Sequence, residues 1–175
     1  MTPNREIATW NGHTYFVTSN TAGRMPYFLQ ERWANLFIEA LYAHRLKRYL
    51  LHGFVLMPDH FHLLITPRVS LETAVQCLKS EFATRAEQEL GWTREIWVSG
   101  YTDLKVRNYL DFNVQLAYIA DNPVEAGLVE RPELYAYSSA HGSFELDAYP
   151  AGSKPGPPVW AKPHSENAPS LKEFE

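Results

Sequence analysis

Val55-Leu56-Met57-Pro58-Asp59-His60-Phe61-His62-Leu63-Leu64-Ile65 is the stretch whose reading decides the fold. It is rich in Leu and Ile around a Pro-Asp pair that suits a hairpin turn, so Tyr49 to Leu56 and His60 to Thr66 read as two antiparallel strands. Side chains two apart on a strand leave the same face. His60 and His62 therefore project together while Phe61 packs on the opposite side, and two parallel imidazoles make a metal clip. Taken alone, a His-x-His is more often an exposed pair or half of a packed face than a ligand set.

Working outward, Thr14 to Thr18 reads as a strand, and Phe28, Leu29, Trp33, Leu36, Phe37, Ala40, Leu41 and His44 repeat with helical period. Leu71 to Leu90 predicts a second helix stopped by Gly91. Glu95 to Val98, resuming near Lys105, is expected as the fourth strand. The order β-α-β-β-α-β followed by one more helix predicts an α+β fold, a ferredoxin-like sandwich with an antiparallel sheet.

The extra helix is expected from about Arg107 to Asp121, with Leu110, Val114, Tyr118 and Asn122 on one line at four-residue spacing. Pro123 is expected to end it and to bias Asn122 away from helical geometry, which places Tyr118 and Asn122 in the last turn. A phenol and a carboxamide are thus offered side by side. By default Tyr118 would be a core aromatic with its hydroxyl at the edge, and Asn122 a helix end.

The chain resembles the single-tyrosine HUH transposases and, within them, the REP-associated tyrosine transposases. The resemblance is carried by Met57-Pro58-Asp59-His60-Phe61-His62 and by Tyr118-Ile119 followed by Asn122-Pro123-Val124-Glu125-Ala126-Gly127-Leu128-Val129. Weaker echoes lie in His13 to Phe28, in Trp97 to Arg107, and in Pro132-Glu133-Leu134-Tyr135 with Ser138-Ser139. A lone His-x-His arises by chance in many proteins. Joined to Tyr-Ile-x-x-Asn-Pro-Val some 56 residues later, it is a specific pattern.

The resemblance implies a metal-dependent endonuclease and strand transferase acting on single-stranded DNA, often beside a hairpin. Tyr118 would attack a phosphodiester, form a covalent 5′-phosphotyrosine and release a 3′-hydroxyl. His60, His62 and Asn122 would hold the metal. Imidazole donors by themselves favour zinc, copper or nickel, so the expectation of Mg²⁺ or Mn²⁺ comes from the family likeness. A tyrosine suits such transfer because its adduct keeps the phosphodiester energy for rejoining. Two other classes stay open: a non-cutting module that binds hairpin DNA or RNA, and a metal-dependent hydrolase of a small phosphate ester. The chain departs from the family pattern at Glu125, where relatives commonly carry a basic residue, and at Val98, where a glutamine is common; Asp121 adds another negative charge beside Asn122.

Charge argues against a polyphosphate partner. The formal net charge is −4, whereas nucleic-acid binders usually present a basic surface. Three local clusters offer a DNA track: Arg45, Lys47 and Arg48; Lys79 with Arg85; and Lys105 with Arg107. Lys79 and Arg107 are the candidates for DNA contact. Each cluster reads equally well as a solvated face. Trp33, Trp92 and Trp97 are read as core rather than as stacking platforms for bases. His13, His44, His52, His141 and His164 show no ligand spacing, and the single Cys77 sits among apolar residues at helical intervals.

The 175 residues, 45% of them hydrophobic, suffice for one catalytic domain over 1–147. Residues 148–175 are expected as a Pro-rich extended tail, anchored at most by Trp160 and Phe174. No apolar run is long enough to span a bilayer, and the N-terminus lacks a basic-then-apolar signal, so a cytoplasmic protein is expected. Monomer and homodimer both remain open.

Overall fold

A computed structural model describes residues 12–150 of the chain. Four strands, β1 (Thr14–Asn20), β2 (Tyr49–Met57), β3 (His60–Pro67) and β4 (Thr102–Val106), form one antiparallel sheet in the order β2-β3-β1-β4. Three helices complete it: α1 (Glu31–His44), α2 (Leu71–Leu90) and α3 (Tyr109–Glu125). This is the expected α+β sandwich, with α1 and α2 on one face of the sheet and α3 on the other.

The period-two alternation of β3 sets the division. Phe61, Leu63 and Ile65 are buried in the larger core with Phe28, Phe37, Phe82 and Trp97, where aromatic centroids stand 5.2 to 5.9 Å apart. His60, His62 and Leu64 fall on the other face. There a smaller cluster of Phe16, Val55, Met57, Leu64 and Val106 receives Phe112, Leu116 and Ile119 of α3. A bulge between Leu51 and Gly53 lets that helix approach closely. A Cβ at Gly53 would stand 2.7 Å from Leu116 Cδ2, so a larger residue here would force the Leu116 side chain or α3 to give way.

The free edge of β2 is closed by the C-terminal part of the described chain. Leu51 N–H donates to Asp147 Oδ2 (2.8 Å), and its carbonyl accepts from Asp147 N–H (2.7 Å). Phe54 N–H donates to Ser139 Oγ (3.0 Å), whose hydroxyl returns to Phe54 O (3.1 Å). Leu56 N–H donates to Tyr137 O (2.8 Å), and the Tyr135 hydroxyl donates to Leu56 O (2.7 Å). Every outward backbone group at these three positions is thereby satisfied.

Asp147 is itself fastened by Arg45, with N···O distances of 3.0 and 2.6 Å. Burial raises the Asp147 carboxyl pKa, but the hydrogen bonds from Arg45 and Leu51 outweigh it and hold the group below the usual carboxylate range. His52 completes the fastening: its Nδ1–H donates to Asp147 O (2.7 Å), and its Nε2 lies 2.8 Å from Thr66 Oγ1. Burial lowers its pKa and keeps it neutral. Tyr149 then packs on Phe112, with centroids 4.5 Å apart. Residues 151–175 of the expected tail, with Trp160, His164 and Phe174, lie outside the described residues.

Three expectations are corrected. Helix α1 begins at Glu31; Phe28 and Leu29 belong to a 3₁₀ turn, Tyr27–Leu29, that continues the hydrophobic period. The fourth strand is Thr102–Val106, while Glu95 to Val98 contributes only an isolated bridge from Trp97 to Thr21. Helix α3 runs through Pro123 to Glu125. The ring sits in the closing turn, so the missing N–H removes a single bond and few turns follow for the ring to distort. Helix α2, by contrast, has the expected bounds: Ser70 caps its first turn by accepting from Thr73 N–H, and Gly91 closes it at φ 66°.

Candidate functional site

The site grows from the centre of the sheet. Strands β1 and β3 pair so that Thr18 faces His62 and Asn20 faces His60. Thr18 Oγ1 lies 2.7 Å from His62 Nδ1, while the buried Nε2 of His62 has no hydrogen-bond partner. Burial, with His60 adding to it, pushes the His62 imidazole down to about 3, so the ring is neutral at ordinary pH. His60 Nδ1 lies 2.6 Å from Asp59 Oδ1, and Asp59 Oδ2 lies 3.2 Å from Arg24 Nε. The two imidazole centroids are 4.9 Å apart and nearly perpendicular.

Helix α3 carries Tyr118 onto this face. Its ring centroid is 5.3 Å from that of His62 and 5.6 Å from that of Phe16, and Phe16 in turn stacks on His62 at 5.2 Å. Phe16 is thus a platform shared by the two rings, and sequence reasoning missed it. Tyr118 is 44% exposed, which sets aside its default reading as a core aromatic. Leu110 and Val114, on the same line, are exposed as well; the buried line of α3 is Phe112, Leu116, Ile119, Ala120 and Pro123. Asn122 lies half-buried one helical turn beyond Tyr118. The fold thus brings Tyr118 to the histidine pair and leaves Asn122 on the same helix, next in line.

The donor set suits a divalent cation. The buried Nε2 of His62 has no partner, and both histidines have their Nδ1 atoms engaged from behind, which leaves their Nε2 atoms as the nitrogens to meet a cation. Among the described residues no three His, Cys, Asp or Glu side chains converge. The carboxylate nearest in sequence, Asp59, is turned to His60 Nδ1 and Arg24. Any cation held here would combine two imidazoles with oxygen donors from elsewhere, and Asn122 is the residue one turn beyond Tyr118 on α3.

The cationic candidates are placed differently. Lys79 is buried, and its ammonium donates to Val98 O (3.3 Å) and Gly100 O (2.5 Å) beside the Trp97 ring; burial lowers its pKa. It holds the segment that leads into β4. Arg107 is exposed at the start of α3 and forms a two-point pair with Asp111 (2.7 and 3.2 Å), so a phosphate there would compete with that carboxylate. Arg45 is committed to Asp147 and Glu145, and Arg85 to Glu81 and Glu39. Trp33 and Trp97 are buried in the core, and Trp92 packs half-buried against Trp33 and Tyr27. Thr18, Asp59 and Arg24 were missed as site residues. Only Asp59 carried a signal, its position directly before His60.

Known proteins give the same reading of the chain. A REP-associated tyrosine transposase of Escherichia coli strain K12 is 23% identical over 142 residues, which cover 79% of this chain and 83% of that protein. The solved structure of a REP-associated tyrosine transposase bound to a REP hairpin superposes with a TM-score of 0.64 at 22% identity, over 83% of this chain and 88% of the other. At that identity the superposition establishes the shared fold. The resemblance carried by the two motifs is borne out. Residues 9–122 match the family described as transposase IS200 like, well over half of the chain, and the protein therefore belongs to the IS200-like transposases.

Proposed function

We propose that the protein cleaves and rejoins single-stranded DNA beside hairpins, with Tyr118 as nucleophile and a divalent cation, Mg²⁺ or Mn²⁺, held by His60, His62 and Asn122. One observation carries the reading: a half-exposed phenol from α3 lies 5.3 Å, centroid to centroid, from an imidazole whose Nε2 is buried and unsatisfied. The exposure leaves the phenol open to a strand of DNA, and its place beside the histidine pair supports a chemical role. The relative whose structure holds a REP hairpin supports a hairpin substrate.

In the reaction the Tyr118 oxygen bonds to the scissile phosphorus and gives up its proton to solvent or a neighbouring base. The bond from phosphorus to the 3′-oxygen breaks, and that oxygen leaves as a 3′-hydroxyl after taking a proton. The phosphate stays on the 5′ end of the downstream strand as a tyrosyl ester, so a later 3′-hydroxyl can reverse the step without outside energy. When bound, the cation would polarise a non-bridging phosphate oxygen and offset the charge that develops in the transition state. Phe16 and the sheet keep the two aromatic rings in fixed relation. Such rigidity matters because a misplacement of ~1 Å can cost ~100-fold in rate.

The test is an adduct assay with hairpin-bearing single-stranded oligonucleotides and Mn²⁺, labelled at either end. A 3′-labelled strand should become covalently attached to the protein through denaturation, while a 5′-labelled strand should be released shortened with a free 3′-hydroxyl. Attachment of the 5′-labelled half instead, or cutting with no adduct at all, would reject the mechanism.

A further inference from the structure

We propose that Arg24 and Asp59 form a positioning relay for His60, which holds its proton on Nδ1 and leaves the Nε2 lone pair directed to the cation. The inference rests on the metal reading above and deepens it. A carboxylate accepts hydrogen bonds and cannot donate one, so the 2.6 Å contact between Asp59 Oδ1 and His60 Nδ1 requires the proton on Nδ1. The remaining nitrogen of a neutral ring is then the acceptor. Thr18, at the same distance scale from His62, is a hydroxyl that can donate or accept, so it orients its ring without dictating the tautomer. Of the two groups behind the imidazoles, the carboxylate alone enforces one form.

The chain holds Asp59 with some care. Arg24 Nε meets its second oxygen at 3.2 Å, so both oxygens face partners and neither is offered to a cation. Arg24 sits at φ 54°, directly after Gly23 at φ 64°, in the left-handed region that a non-glycine residue seldom adopts. The turn beneath is clamped from the same segment: Thr21 N–H donates to Asp59 O (2.9 Å) and Phe28 N–H to Pro58 O (3.1 Å). An ion pair with one side chain 58% exposed contributes little by itself to stability. Its role here is to fix direction, as carboxylates behind metal-bound histidines do.

The relay is tested on the full chain, first without metal, by nitrogen-resolved NMR of the histidine rings at mildly alkaline pH. The wild type should show His60 protonated on Nδ1. Asp59→Ala should turn it into a mixture with the Nε2–H form and weaken Mn²⁺ binding, read by calorimetry, about 10- to 100-fold. Arg24→Ala should show a smaller loss of the same kind, and Arg24→Lys should restore it. A simple packing defect would lower the melting temperature without moving the tautomer. If Asp59→Ala does not fold, Asp59→Asn and the Arg24 pair carry the test, with Asn keeping an acceptor oxygen and part of the tautomer bias. If the wild type fails to bind Mn²⁺, both this relay and the metal centre fall. If Mn²⁺ binds and Asp59→Ala leaves tautomer and affinity unchanged, the relay alone falls.

Discussion

The two faces of one strand do opposite work. Phe61, Leu63 and Ile65 of β3 enter a dense aromatic core under α1 and α2, whereas His60 and His62, one residue away, leave toward a thinner layer under α3. The first face spends its burial on stability. The second sets two imidazoles, one of them with an unpartnered Nε2, beside a phenol half in solvent. Under the proposed function the pleat divides stability from chemistry, and a substitution should affect one or the other according to the face it occupies.

The hardest blow to that division is Tyr118→Phe. It should reduce adduct formation on the order of a thousandfold or more, since loss of a nucleophile is rarely compensated. Its urea midpoint should stay at the wild-type value because the hydroxyl lies on an exposed side chain. Cleavage that persists at wild-type rate would dissolve the chemical face as drawn. The mirror experiment is Phe82→Ala on the other face: it should cost about 3–5 kcal/mol in chemical denaturation while the folded fraction still forms adduct normally.

Gly53→Ala probes the seam between the two. An added methyl would press on Leu116, which is itself buried, so its side chain must repack and push on α3; we expect about 1–3 kcal/mol of destabilisation. The displaced Tyr118 should also lose about ten- to a hundredfold in adduct rate. A variant that loses stability alone would show that α3 can move without moving the nucleophile. The smallest effect concerns the fastening of the C-terminal segment. His52 has a folded pKa below its unfolded value of 6.5, so its contribution is complete above that pH and is lost as the pH falls, when the unfolded chain takes the proton first. The melting temperature should therefore fall as the pH drops below about 6.5, and His52→Gln should flatten that slope.

Much of this was legible in the sequence, and what was not has physical causes. The β2–β3 hairpin and α2 were readable because their signals are local: an alternating pattern across Pro58-Asp59, a Ser70 cap, a Gly91 stop. Of strand β4 only the part near Lys105 was legible, because it is a short edge strand whose residues are mostly exposed, defined by pairing with β1 rather than by its own pattern. Ile96 and Trp97 looked like a strand because they are buried anchors. On α3 two apolar lines compete, Leu110-Val114-Tyr118 and Phe112-Leu116-Ile119, and periodicity cannot say which meets the sheet. The histidines and Tyr118 were singled out through their motifs, and the fold brings them together. Phe16, Thr18 and Arg24 were not, because register across β1 and the fold of a distant loop bring them to the site.

The closed edge of β2 has one more consequence. An open strand of nine residues, mostly apolar, is a template on which a foreign strand can grow, and successive additions lead to fibres. Here Asp147, Ser139, Tyr137 and Tyr135 already occupy the outward groups of Leu51, Phe54 and Leu56, while the opposite edge is only the five residues of β4, with Asp103 and Lys105 along it. The segment after α3 therefore works as a built-in guard against polymerisation, and a chain cut short before Tyr135 would be left with a sticky seam.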